Sequence, residues 1–162
     1  MRRRTLYVRD ERGEFVPADA ELIMAAAKAY LRTQVRRGVP LTSPQVVRDF
    51  LTVNLSQRDV EYFCLLLLDT RHRLLRFVEL FRGTIDGASV HPREVVKVAL
   101  ESRAAAVVLV HNHPSQVSEP SAADELITRR LKDALALIDV RVIDHLIVAG
   151  ADVLSFSERG LI

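Results

Sequence analysis

The stretch Ala104-Ala105-Ala106-Val107-Val108-Leu109-Val110-His111-Asn112-His113-Pro114 decides how this chain is read. Seven small or branched apolar residues in a row, closed by a proline, predict a buried strand rather than an amphipathic helix. On a strand, residues i and i+2 point to the same side, so His111 and His113 project together. Downstream, Ser121-Ala122-Ala123-Asp124 opens a helical pattern whose apolar face is Leu126, Ile127, Leu131, Ala134 and Leu137. Two imidazoles and a carboxylate at a strand end form a three-ligand metal site with a position left for water, as catalytic zinc requires. Buried polar rings are costly without partners, which favours a ligand role for a pair over a lone histidine. Ser121 and Asp124 also match a capping box, which would start the helix with no metal. The two readings are compatible. The contiguous letters His111-Asn112-His113 do not indicate an HNH nuclease, whose residues are scattered over a ββα unit.

Hydrophobic periodicity organises the rest of the chain around that strand. A short strand is predicted at 5–8. A helix capped by Asp19 follows, running to about residue 37, where Gly38 closes it. Ser43-Pro44 starts a second helix reaching about residue 53, with proline at its first position. Residues 61–69 and 74–81 read as an antiparallel hairpin, and Pro92 opens a helix to about residue 102. Closing strands are expected at 141–148 and 153–157, with Gly150 in their turn. Alternation of strands and helices in mixed order predicts an α/β fold, a three-layer sandwich with a mixed sheet. Pro40 and the segment Leu41-Thr42-Ser43 mark the boundary between an N-terminal helical extension, 1–40, and the metal-binding domain, 41–162.

The string His111-x-His113-Pro114-x6-Ser121-x2-Asp124 has the spacing of the JAMM/MPN+ zinc metalloproteases, with no insertion. Within that superfamily, residues 41–162 resemble the RadC-like branch. The landmarks are Leu65-Leu66-Leu67-Leu68-Asp69, Arg82-Gly83-Thr84, Val90-His91-Pro92-Arg93-Glu94, Asp144-His145-Leu146-Ile147-Val148 and Ser155-Phe156-Ser157-Glu158-Arg159-Gly160. The resemblance implies a cytidine-deaminase-like JAMM/MPN fold and hydrolysis of a peptide or isopeptide amide in a protein or peptide substrate. It implies Zn2+ on His111, His113 and Asp124, a choice that two imidazoles and one carboxylate also suit. It further implies an upstream glutamate as general acid/base, in a pattern resembling Glu-x-x-Gly-Leu-x-Leu. Glu61 fits, with Cys64 where many relatives have glycine. Glu79 is the competing carboxylate, with an exposed position on an alternating strand as its plain alternative. Ser121 would stabilise the oxyanion or orient the water.

Composition bounds the other readings. The 162 residues suffice for one domain with a substantial core. A content of 49% hydrophobic and 27% charged residues is that of an ordinary globular protein. No apolar run approaches the length of a membrane span. Met1-Arg2-Arg3-Arg4 is not followed by the apolar stretch of a secretory signal. One cysteine, Cys64, permits no internal disulfide, which fits a reducing cytoplasm; its place in an apolar strand reads as core. All but Lys28, Lys97 and Lys132 of the 23 basic residues are arginine, clustered at Arg2, Arg3, Arg4, Arg9, Arg12, Arg32, Arg36 and Arg37. These clusters read as a solvated face, with DNA as a weakly supported partner. RadC-like proteins carry a helix-hairpin-helix region ahead of the metal domain, and residues 1–40 show no glycine-hairpin signature for one. Two alternatives to hydrolysis stay open here: a scaffold that has lost its metal, and a DNA-repair or mobile-element factor. His145 reads as a structural histidine or an orienting partner beside Asp144, His91 as a helix-start or cleft residue, and His72 as an exposed turn residue.

Overall fold

The apolar run ending in His111 becomes a strand buried along its whole length, and the rest of the domain is layered on it. The computed structural model describes residues 5–41, 43–83 and 90–162. Met1-Arg2-Arg3-Arg4, Thr42 of the boundary and Thr84 of the Arg-Gly-Thr landmark lie outside the described residues. In chain order the strands β1 (Tyr7–Arg9) and β2 (Phe15–Pro17) precede the helices α1 (Ala20–Gln34) and α2 (Pro44–Leu55). Then come β3 (Tyr62–Leu68), β4 (Leu74–Arg82), α3 (Pro92–Glu101) and β5 (Ala106–Asn112). The chain closes with α4 (Ala122–Ala136), β6 (Arg141–Ala149) and β7 (Asp152–Ser155).

Five strands form one sheet in the order β4-β3-β5-β6-β7. The β5–β6 pair is parallel and the other pairs are antiparallel. A parallel pair cannot be joined by a tight turn, so α4 crosses over one face to connect β5 with β6. The result is the mixed-sheet α/β sandwich that the sequence predicts.

Period-two alternation sorts β3 and β5 into two cores. Cys64, Leu66, Leu68, Val108 and Val110 pack against Leu31, Phe50, Leu51 and Leu55 of α1 and α2. Phe63, Leu65, Leu67, Val107 and Leu109 pack against Val95, Ala99, Leu131 and Leu135 of α3 and α4. Each fully buried leucine contributes about 1.5–3 kcal/mol, so the two central strands carry much of the stability. Burial also pushes the Cys64 thiol up to about 12, so it stays protonated as the core residue the sequence suggests.

The N-terminal segment holds the expected short strand, at Tyr7–Arg9, and adds a second one ahead of the helix. It opens with a hairpin, Tyr7 opposite Pro17 and Arg9 opposite Phe15. The turn is built by Asp10, whose Oδ1 accepts the Arg12 and Glu14 N–H groups at 2.9 Å each. Gly13 sits in that turn at φ +82°, a conformation glycine adopts without strain. Hydrophobic alternation finds no second strand in 15–17 because all three residues are exposed. Helix α1 shares a core with the sheet through Leu31 and Val35. The connection after it is stitched to the β3–β4 hairpin: Gly38 N–H donates to Leu74 C=O at 2.7 Å and Leu41 N–H to His72 C=O at 3.0 Å.

Asp69 organises the hairpin turn. Its Oδ1 accepts the Arg71 and Arg73 N–H groups at 2.8 and 2.9 Å, and Oδ2 accepts the Arg73 guanidinium at 2.7 Å. The Arg73 N–H, ahead of the other contacts, holds the Asp69 carboxyl below its usual range. A lowered folded pKa stabilises above the unfolded value, near pH 4, and that stability is lost as pH falls through the folded value. Asp69→Asn is therefore expected to lower Tm at pH 7, with the gap to wild type closing below about pH 4. Melting curves between pH 7 and 3 check this; a constant gap excludes the carboxylate charge as its source.

Candidate metal centre

Strand β5 carries the His111 ring onto the face covered by α3 and α4. His113 lies one residue past its end, held by its N–H to Val148 C=O at 2.9 Å. Asp124 reaches the same point from α4. Ser121 caps that helix and Asp124 is its third residue, so the carboxylate sits in the first turn where helix N–H groups favour negative charge. Both halves of the capping box are formed: Asp124 N–H donates to Ser121 Oγ at 3.1 Å and Ser121 N–H to Asp124 Oδ2 at 2.7 Å. The same carboxylate faces both imidazoles, His111 Nε2 at 3.2 Å from Oδ1 and His113 Nε2 at 3.5 Å from Oδ2. Capping and ligand geometry thus coexist in one side chain.

His111 Nε2 and His113 Nε2 lie 2.9 Å apart. The three residues bring their donor atoms within 4.8 Å of one another. His113 Nδ1 is 2.7 Å from Val117 C=O, which can only accept, so Nδ1 carries a proton and Nε2 is the atom left for a metal or a second proton. Donors this close repel unless a proton or a cation lies among them. Zinc–ligand bonds of about 2.0–2.1 Å set tetrahedral edges of about 3.3 Å, near the separations found. The donor set therefore fits a divalent metal. Without a metal the same cluster attracts a proton. The hydrogen bond to Asp124, ahead of the desolvation that opposes it, raises the His113 imidazole above its ordinary value. Burial works against the Asp124 charge, but His111, His113 and Ser121 hold its carboxyl far below the usual range.

Glu61 stands half-buried at the entrance of β3. Burial raises its carboxyl above the ordinary value; the charges acting on it are those of His111, Asp124 and His113. Glu79 lies elsewhere. It pairs across strands with Cys64, whose side chain faces the α1/α2 core, and its carboxylate bonds Arg58 at 3.0 Å. The residue between the two histidines fixes the Glu61 backbone. Asn112 is buried, its Oδ1 accepts Tyr62 N–H at 2.8 Å and its amide donates to Val60 C=O at 3.1 Å. Asn112→Ala is expected to leave those two groups without partners at a cost of about 1–3 kcal/mol. Tm should fall by about 3–10 °C while metal uptake persists. Calorimetry beside a zinc titration checks both.

Residues 41–161 match the family described as the RadC-like JAB domain. The chain belongs to that family. The UPF0758 protein of Aeromonas hydrophila subsp. hydrophila is 54% identical over 143 residues, covering 88% of this chain and 64% of the relative. That of Nitrosococcus oceani is 58% identical over 135 residues, covering 83% of this chain and 60% of the relative. The RadC-like chain therefore spans under two thirds of the length of these curated relatives. Among its described residues no helix is long and apolar enough to cross a membrane.

Two polar residues of this RadC-like domain join the cluster: His145, read from sequence as a structural histidine or an orienting partner, and Thr128, which the sequence reading does not single out. His145, fully buried on β6, places Nε2 2.8 Å from His111 Nδ1. Its Nδ1 is 2.6 Å from Thr128 Oγ1 of α4. Burial lowers the His145 imidazole well below its ordinary value, so it is neutral. The expected pairing with Asp144 is through the backbone: His145 N–H donates to Asp144 Oδ1 at 2.7 Å, while the other carboxylate oxygen accepts from Ser155. The signal available for Thr128 was its position one helical turn after Asp124, on the same face. His91 occupies the N-cap of α3 without a side-chain capping bond, its ring edge-on to Phe81. His72 is an exposed turn residue at φ +54°.

Proposed function

We propose that this chain is a zinc-dependent hydrolase of amide bonds, a metallopeptidase or isopeptidase, with His111, His113 and Asp124 as ligands. The convergence of those three donors on one point carries the reading. Zinc bound there supplies a water acidified enough to attack at neutral pH and polarises the carbonyl. The chain does the rest. Glu61, whose carboxyl is raised by burial, takes a proton from the attacking water and returns it to the leaving amine. Ser121 Oγ donates to Asp124 Oδ2 at 2.7 Å, so it orients that carboxylate first. Turning away from Asp124 would let the hydroxyl donate to the developing oxyanion. The substrate class is a protein or peptide, isopeptide-linked ones included.

The test is elemental mass spectrometry on untagged protein purified without added metal. About one zinc per chain is the expected content. A clean chain that also takes up none on titration would leave the metal-free scaffold reading in its place.

A further inference from the structure

The contacts behind His111 form a chain whose direction is fixed by its last member. His111 Nδ1 meets His145 Nε2 at 2.8 Å, and His145 Nδ1 meets Thr128 Oγ1 at 2.6 Å. Thr128 Oγ1 in turn lies 2.5 Å from the backbone C=O of Asp124, four residues back on α4. A carbonyl only accepts, and a hydroxyl has one proton. The Thr128 hydroxyl therefore donates to Asp124 C=O and accepts from His145 Nδ1–H. His145 Nε2 is left as an acceptor, so His111 Nδ1 carries a proton and His111 Nε2 is the nitrogen turned to Asp124. In the opposite direction Thr128 Oγ1 and the Asp124 oxygen would face each other as two acceptors. The arrangement is walled in by aromatic rings. Phe63 stacks on His111 at 6.2 Å between centroids, and Phe156 lies 4.7 Å from His145.

We propose that Thr128 and His145 are positioning residues for the metal, a relay that fixes the ligand tautomer of His111 and ties it to the backbone of Asp124. The inference rests on the metal site proposed above and adds what selects its electron pairs. Partners of this kind typically change metal affinity by about 10–100-fold when removed. The relay also couples two ligands from different elements: β5 supplies His111, α4 supplies Asp124, and β6 bridges them through His145.

The test pairs two readouts. Long-range 15N–1H NMR of histidine-labelled, metal-free protein reads which ring nitrogens carry protons. A proton on Nδ1 of both His111 and His145, with His145 Nε2 bare, is expected; the reverse on His145 overturns the proposal. Zinc affinity by chelator competition is then compared for wild type, Thr128→Val and Thr128→Ser. The valine variant keeps the shape without the hydroxyl and should bind about 10–100-fold more weakly, with serine restoring affinity. A valine variant with lowered Tm but wild-type affinity shows a merely structural threonine and also overturns the relay. Should the valine variant not fold, the NMR of the wild type decides alone. Wild type that binds no zinc but shows the expected tautomers would sink the proposed function and leave the relay's hydrogen bonding standing.

Discussion

Alanine at His113 is expected to empty the metal site without unfolding the domain. His113 is the more exposed imidazole, 17% accessible against 1% for His111. Its loss removes the side-chain contacts to Val117, His111 and Asp124 and leaves the fully buried core untouched. Structural zinc sites with four protein ligands bind with roughly 10–16 kcal/mol, about 3 kcal/mol per ligand, so removing one of the three ligands proposed here should cost over a hundredfold in affinity. Zinc content should drop from about one per chain to near zero, amide hydrolysis should fall to background, and metal-free Tm should stay within a few degrees. His111→Ala would be a poorer test, because it also removes a buried ring stacked on Phe63 and breaks the link to His145. Elemental analysis of His113→Ala beside wild type reads the result. Zinc retained in the variant would mean that the metal, if present, is held elsewhere.

Glutamine at Glu61 is expected to separate binding from chemistry. The carboxylate is not among the three gathered donors, so zinc content should match wild type. Loss of a general acid/base should reduce turnover by about 10²–10⁴-fold on any peptide or isopeptide substrate the wild type cleaves. Stability should move the other way. Burial raises the Glu61 pKa above its unfolded value, so its contribution is full below about pH 4 and declines as pH rises through the folded value. At pH 7 the metal-free glutamine variant should therefore melt no lower than wild type, its advantage fading toward pH 4. Glu79→Gln serves as the control, since it removes only the exposed pair with Arg58 and should leave turnover intact. Full hydrolysis by Glu61→Gln, with loss in Glu79→Gln, would reverse the assignment.

Much of the centre is written locally. The i, i+2 spacing on a buried strand puts His111 and His113 on one side, and the interval from Ser121 to Asp124 sets both a helix cap and a carboxylate at its N-terminus. Local rules of that kind reach only a few residues. The second strand of the β1–β2 hairpin escaped them because its register depends on Asp10 accepting two backbone N–H groups and not on any buried face. Asn112 escaped them as well, since its partners, Val60 and Tyr62, are about fifty residues upstream across the β3–β5 pair.

His145 marks the limit most clearly. In β6, strict alternation would put Val142, Asp144 and Leu146 on one face. In the sheet, Val107 pairs with Val142 but Val108 pairs with Asp144, leaving Ile143 as an extra residue. That bulge shifts the alternation: Val142 packs with the α3/α4 core, Leu146 with the α1/α2 core, and His145 turns toward His111. The chain by itself determined the residue types of the His111, His113 and Asp124 cluster, their spacing and the strand and helix that present them, because those follow from short-range periodicity and capping chemistry. Only the tertiary structure placed Glu79 on the α1/α2 face and brought His145 and Thr128 together behind His111, because both depend on strand register, and register is set by packing between segments distant in sequence.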